Sequence, residues 1–239
     1  MRRLLHLSTR EYWCYIRRMA ATPLPGRLGA MPPHPGFRYI AGDVALDFVN
    51  TVVWAAGGLG NERLRDYDSL TRWAEGAGVV PQGTGAGLRR IAARQPRQAA
   101  ATLRRARALR DTVRRVFQTV AGTGAPGPAL EALDRAVADT LRHHRLRPSR
   151  GPRSHGAAAE WCWSNADERL DSPLWPVALA AAELLVSEEA ANVKTCGGAE
   201  CGWMFVDRSR NGLRRWCIME ECGTMEKTRR RARRRASGV

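Results

Sequence analysis

Between residues 37 and 190 apolar side chains recur mostly at helical spacing. Read at a 3.6-residue period, Val44 to Trp54 forms one apolar helix with Leu46, Val49, Val52 and Val53 on a common face. Asp66 or Asp68 can cap the next helix, which buries Leu70, Trp73 and Ala74 before Gly76 and Gly78 end it. Helices over 88–94, 99–120 and 129–141 follow. The longest has Leu103, Ala106, Leu109, Val113, Val116, Phe117 and Val120 as its apolar stripe, and Arg104, Arg105, Arg107, Arg110, Arg114 and Arg115 between them as a solvated face. Period-two alternation is scarcer. It predicts a short strand at Phe37 to Ile40 and a hairpin from His144 to Arg147 and Glu160 to Ser164, where Trp161 and Trp163 share one side. Pro173 opens a last core helix through Trp175, Val177, Leu179, Leu184 and Leu185. The fold class is therefore α+β, mainly α, with a small β-hairpin or sheet.

The pattern changes at both ends. Residues 1–36 hold a Pro/Gly-rich stretch and no amphipathic stripe, so they read as a disordered extension in which Met19 or Met31 is an alternative start. Residues 194–239 carry Cys196, Cys201, Cys217 and Cys222 in the spacing C-x4-C-x15-C-x4-C. Two close pairs held apart by a spacer converge on one tetrahedral ion, and thiolate sulfur selects zinc over harder metals. A disulfide framework is the rival, but no signal-peptide pattern points to an oxidising compartment. Four thiolates leave no position for water, so the expected cofactor is one structural Zn2+. Trp203 to Val206 and Leu213 to Trp216 read as strands of this module, and Cys222 as the start of a closing helix. That suggests a treble-clef-like finger, with a ribbon as the alternative. The division predicts three parts: an extension at 1–36, a mainly helical domain at 37–190 that folds without the rest, and a finger at 194–239.

Charge sharpens the reading. The 239 residues carry a formal charge of +16, which calls for a polyanionic partner such as nucleic acid. The lysines are Lys194 and Lys227; the remaining basic charge is arginine. Much of it lies in the finger, at Arg208, Arg210, Arg214 and Arg215, and in the closing helix, at Lys227, Arg229, Arg230, Arg231, Arg233, Arg234 and Arg235. In that helix Met225, Thr228, Ala232 and Ala236 mark a narrow docking stripe. No run reaches the length of a membrane-spanning helix, so no membrane partner is expected.

The remaining chemistry is sparse. Asp47, Asn50 and Thr51 interrupt an apolar helix; they either fix the fold through hydrogen bonds or line a small-ligand pocket walled by Trp54, Trp161, Trp163 or Trp175. His143 and His144 read as a surface pair. No phosphate loop, nucleophile elbow or paired-carboxylate arrangement is present, and the chain is expected not to be an enzyme.

The run Leu46-Asp47-Phe48-Val49-Asn50-Thr51, the segment Pro173-Leu174-Trp175-Pro176-Val177, and the finger residues Cys201-Gly202-Trp203, Phe205 to Asp207, Ser209-Arg210-Asn211 and Arg214-Arg215-Trp216-Cys217 resemble a bacterial family. Its members join an ABATE domain to a CGNR zinc finger and are described as stress-induced transcription regulators. The resemblance runs from about Phe37 to Arg235, with Cys222-Gly223-Thr224-Met225 where the family has Cys-Gly-Asn-Arg. It implies a DNA-linked regulator of the cytoplasm, associated with the nucleoid, whose first domain senses a small-molecule effector or mediates association. DNA stands ahead of RNA as the partner. An RNA-binding or ribosome-associated zinc protein is the alternative, and a small-molecule-binding helical domain tethered to nucleic acid is the next.

Overall fold

A computed structural model describes residues 36–55, 58–81, 83–120, 122, 127–148 and 159–236. The expected extension at 1–36 lies outside the described residues, apart from Gly36.

A short helix, α1 (Val44–Val49), sits at the centre, with Leu46, Phe48 and Val49 fully buried. Asp43 caps it by accepting from Ala45 N at 2.8 Å. The expected helix to Trp54 stops here. Thr51, Val52 and Val53 are β-branched, which favours extended backbone, and the chain turns into strand β1 (Val52–Ala55), paired antiparallel with β2 (Gly58–Glu62). Nor do residues 37–40 form a strand; their backbone is pinned as a loop by Asp47, whose Oδ1 accepts from Ile40 N at 2.8 Å and Ala41 N at 2.9 Å.

Around α1 lie α2 (Tyr67–Gly76), α3 (Thr84–Arg94), α4 (Pro96–Val120) and α5 (Pro128–Leu141). Asp66 and Ser69 form a reciprocal capping box at the start of α2. Trp73 of α2 meets Phe48 with ring centroids 4.7 Å apart. The hairpin β3 (His144–Pro148) and β4 (Ala159–Trp163) follows, then a 3-10 turn at Ser172–Leu174, and α6 (Trp175–Val186), buried over most of its length.

After a second 3-10 turn at Glu188–Asn192, β5 (Val193–Thr195) pairs antiparallel with β6 (Met204–Val206). The partner of β6 is therefore Val193–Thr195, and the expected return strand at 213–216 is irregular backbone. A π-helical turn at Met219–Gly223 leads into α7 (Thr224–Ala236).

One hydrophobic core runs through both halves. Trp203, Met204, Phe205 and Val206 belong to the same buried cluster as Leu46, Phe48, Val113 and Leu184. Strand β6 has β5 on one edge, while its other edge is closed by α1 and the loop before it. Asn50 donates from Nδ2 to Met204 O at 2.8 Å and accepts from Met204 N at 2.9 Å, and Val206 N donates to Ala41 O at 2.8 Å. The carboxamide thus replaces a third strand, satisfying backbone groups that would otherwise be buried unpaired.

The long helix α4 also departs from a plain solvated face. Arg110 is 1% exposed and forms a bidentate pair with Glu62 at 2.7 Å for each bond. Arg107 donates to Leu64 O, and Arg114 donates to Gly202 O at 2.8 Å while lying over the Trp54 ring at 4.3 Å. Three of the six arginines expected in water therefore bind the β1–β2 hairpin and the finger to the helix.

Candidate metal centre and nucleic-acid interface

The turn between β5 and β6 presents Cys196 and Cys201, and the chain returns after a loop to place Cys217 and Cys222 beside them. All four Sγ atoms lie within 4.8 Å of one another, with Cys201 to Cys217 and Cys217 to Cys222 each at 3.6 Å. A tetrahedral ion with zinc–sulfur bonds of 2.3 Å requires sulfur separations of about 3.8 Å. The spacing fits. Cys222 sits in the π-helical turn that opens α7, so two ligands come from a hairpin turn and one from the start of the closing helix, the treble-clef-like arrangement.

Proton chemistry of the four thiols points the same way. Sulfur contacts to Cys201 and Cys217, with the amides of Cys217 and Gly198 donating to its Sγ, pull Cys196 down to about 2. The contact with Cys196 pushes Cys201 up to about 12 and Cys217 higher still, and burial raises Cys222. Four sulfurs this close oppose one another's ionisation, an opposition that a divalent ion relieves, so the donor set and its distances fit one structural zinc.

Two glycine and arginine positions hold the knuckle. Gly202 has φ +62, and a Cβ there would lie 2.1 Å from Trp54 O, so only glycine permits both the turn and the close approach. Trp54 N donates to Cys201 O at 3.0 Å and Trp203 Nε1 to Val52 O at 2.9 Å, which presses the knuckle onto β1. Arg214 donates to Trp216 O at 3.1 Å and to Cys217 O, and covers the Phe205 ring at 4.2 Å.

The loop between β6 and Cys217 is organised by Asp207. This buried carboxylate accepts from Lys194 Nζ at 2.6 Å, Ser209 N at 2.9 Å, Ser209 Oγ at 2.6 Å and Arg214 N at 2.9 Å. Burial alone raises its pKa, but these four donors outweigh it and hold the group well below the usual carboxylate range. Asp207 enters the sequence reading only as part of the Phe205 to Asp207 segment of the resemblance; its role as the hub of this loop has no periodic signal, since a lone aspartate follows an apolar strand.

The basic residues divide. Arg208 forms a bidentate pair with Glu189 at 2.5 and 2.8 Å and donates to Gly42 O at 2.7 Å, so it and Arg214 have guanidinium groups engaged within the protein. Arg229 pairs with Glu200 at 2.8 Å. Arg210 and Arg215 are exposed in the finger, and Lys227, Arg230, Arg231, Arg233, Arg234 and Arg235 are exposed on α7. Met225 is 54% exposed, and Thr228 and Ala232 are exposed too, so the expected docking stripe meets water instead of the core. Helix α7 thus projects from the body.

The seven residues expected around a ligand pocket do not converge. Asp47 and Asn50 are bonded to backbone as described above. Thr51 donates to Phe48 O at 2.7 Å, and Trp54 Nε1 donates to Val49 O at 2.9 Å. Those four lie at the seam with the finger and their polar atoms are committed there, whereas Trp161, Trp163 and Trp175 stack with His143 and His144. His143 and His144 are consequently half-buried in an aromatic stack, and desolvation holds both below the usual imidazole range.

The ABATE family model, described as "putative stress-induced transcription regulator", matches residues 42–188, and the CGNR zinc finger model matches residues 192–235. No curated protein matches the chain. The matched ranges meet near the second 3-10 turn, where α6 hands over to β5.

Proposed function

The chain belongs to the ABATE family and carries a CGNR zinc finger, and from that premise we propose that it is a non-enzymatic, DNA-binding transcription regulator of the bacterial cytoplasm, working at the nucleoid. The observation that carries the reading is the projecting helix α7. Its exposed cations are Lys227, Arg230, Arg231, Arg233, Arg234 and Arg235, on a helix whose first turn follows the zinc ligand Cys222, and Arg210 and Arg215 are exposed in the finger. Such a helix meets phosphates on a duplex while the finger fixes its angle. Residues 42–188 then supply sensing or self-association, and the Asn50 clasp transmits their conformation to the finger.

Helix α7 also explains the departure in the naming tetrapeptide. Thr224 and Met225 stand where the family has Asn and Arg, and both are exposed at the base of the basic helix. Neither position holds the zinc.

The test is recovery of the purified protein with its bound nucleic acid, nuclease trimming and sequencing. Duplex DNA fragments drawn from a limited set of sites are expected; fragments that are mainly RNA would replace this reading with an RNA-binding one.

A further inference from the structure

The first zinc knuckle is held from outside the finger. The carbonyls of residues 201–204 each have a donor: Trp54 N reaches Cys201 O at 3.0 Å, Arg114 Nη1 reaches Gly202 O at 2.8 Å, Cys196 N reaches Trp203 O at 2.7 Å and Asn50 Nδ2 reaches Met204 O at 2.8 Å. Trp54, Arg114 and Asn50 all belong to the helical part of the chain. Trp203 returns the contact, its Nε1 donating to Val52 O at 2.9 Å.

Trp54 is where these contacts meet. Its Nε1 is anchored to Val49 O at 2.9 Å, and the Arg114 guanidinium lies over its ring at 4.3 Å. Its own carbonyl fills the space that a Cβ on Gly202 would need. Arg114 follows the fully buried Val113 on α4, so a shift of that helix in the core moves the guanidinium at the knuckle. Cys217 and Cys222 are held differently. Gly197 N donates to Arg215 O at 2.8 Å and Cys217 N to Cys196 Sγ at 3.3 Å, so the second arm of the site leans on the first.

We propose that Arg114 and Trp54 are positioning residues for the zinc centre, so that packing of the helical part of the chain sets the finger's affinity for zinc and bound zinc in turn tightens that packing. Neither is a ligand. By holding the carbonyls of Cys201 and Gly202 they fix the peptide planes on either side of a glycine at φ +62, and with them the direction of the Cys201 thiol. A ligand already aimed loses less freedom when the ion binds, and affinity is gained by preorganisation. Linkage makes the effect reciprocal: the factor that the clamp adds to zinc affinity is the factor that zinc adds to closure of the clamp. This coupling rests on the zinc centre and is independent of DNA binding.

The experiment measures zinc affinity of the full chain by competition with a chromogenic chelator, together with the absorption spectrum of the cobalt(II)-loaded chain. Arg114→Ala is expected to weaken zinc binding about tenfold, the lower end for groups that orient metal ligands, while keeping the spectrum of a tetrahedral four-thiolate site. Arg114→Lys, which keeps a donor for Gly202 O, is expected to recover most of the loss. Arg104→Ala, which removes an exposed cation of the same helix, is expected to change nothing. In the wild type, the Trp54 amide is expected to exchange with deuterated solvent about tenfold more slowly with zinc than without it. Equal zinc affinity in the wild type and Arg114→Ala, an equal loss in Arg104→Ala, or Trp54 exchange indifferent to zinc would overturn the coupling. A wild-type chain that takes up no zinc would remove the centre itself, a result distinguishable from equal affinities.

Discussion

Replacing Asn50 with alanine removes one carboxamide and strands both the amide and the carbonyl of Met204 in a dry interior. Each unsatisfied buried group costs about 1–3 kcal/mol, so Asn50→Ala is expected to lower unfolding stability by about 2–4 kcal/mol in denaturant titration. A loss under about 1 kcal/mol would show that water replaces the side chain. Asp47 makes a different prediction. Burial pushes its carboxyl up to about 7 despite hydrogen bonds from Ala41 and Ile40, from an ordinary value of 3.8. A carboxyl raised on folding contributes fully below about 4, and that contribution is lost as pH rises through its folded pKa near 7. Asp47→Asn keeps an acceptor for both amides and cannot ionise. Its Tm is expected to exceed that of the wild type at pH 8, with the gap closing by pH 5; a gap independent of pH would remove the titration from the explanation. Met225 is the third such residue. Met225→Arg restores the family's cation at an exposed position and is expected to tighten duplex binding and to steepen the dependence of log affinity on log salt by about 0.9. An unchanged slope would place position 225 outside the phosphate contact.

At the scale of elements, the helices were legible because their burial is periodic. Helices α2, α3, α4 and α5 lie where apolar spacing and caps such as Asp66 put them. The zinc ligands were legible for a chemical reason, since thiolates at that spacing have few other uses. What periodicity hides is a polar group that bonds across a long sequence gap. Asn50 to Met204, Arg114 to Gly202 and Trp203 to Val52 each join stretches that look like separate units, and Arg110 reads as solvent-facing until Glu62 is brought to it. The partner of β6 was misplaced for the same reason, because Val193-Lys194-Thr195 is too short to carry an alternation. The shared core has a consequence for truncation. A chain ending at Asn192 loses Met204, Phe205 and Val206 from the interior, leaving α1 unpartnered on one side. It is expected to lack a cooperative thermal transition, where the two-unit reading of the sequence expected one; a sharp melt would restore independent folding.

For the whole molecule, no helix among the described residues is long and apolar enough to cross a membrane, and the +16 charge is spread over surfaces of unequal freedom. Arg107, Arg110, Arg114, Arg208 and Arg214 spend their charge inside, binding carbonyls and carboxylates. The cations of α7 other than Arg229, which pairs with Glu200, lie on exposed residues. Zinc, knuckle, Asn50 clasp and α7 therefore form one continuous path from the helical core to the exposed charge. The measurement that bears most directly on this arrangement is a salt titration of duplex DNA affinity for the full chain and for a chain truncated after Met225. Each phosphate neutralised contributes about 0.9 to the slope, and the full chain is expected to show a slope several units steeper than the truncated one, with zinc content equal in both. Equal slopes would contradict the central claim and reduce α7 to a solubilising appendage.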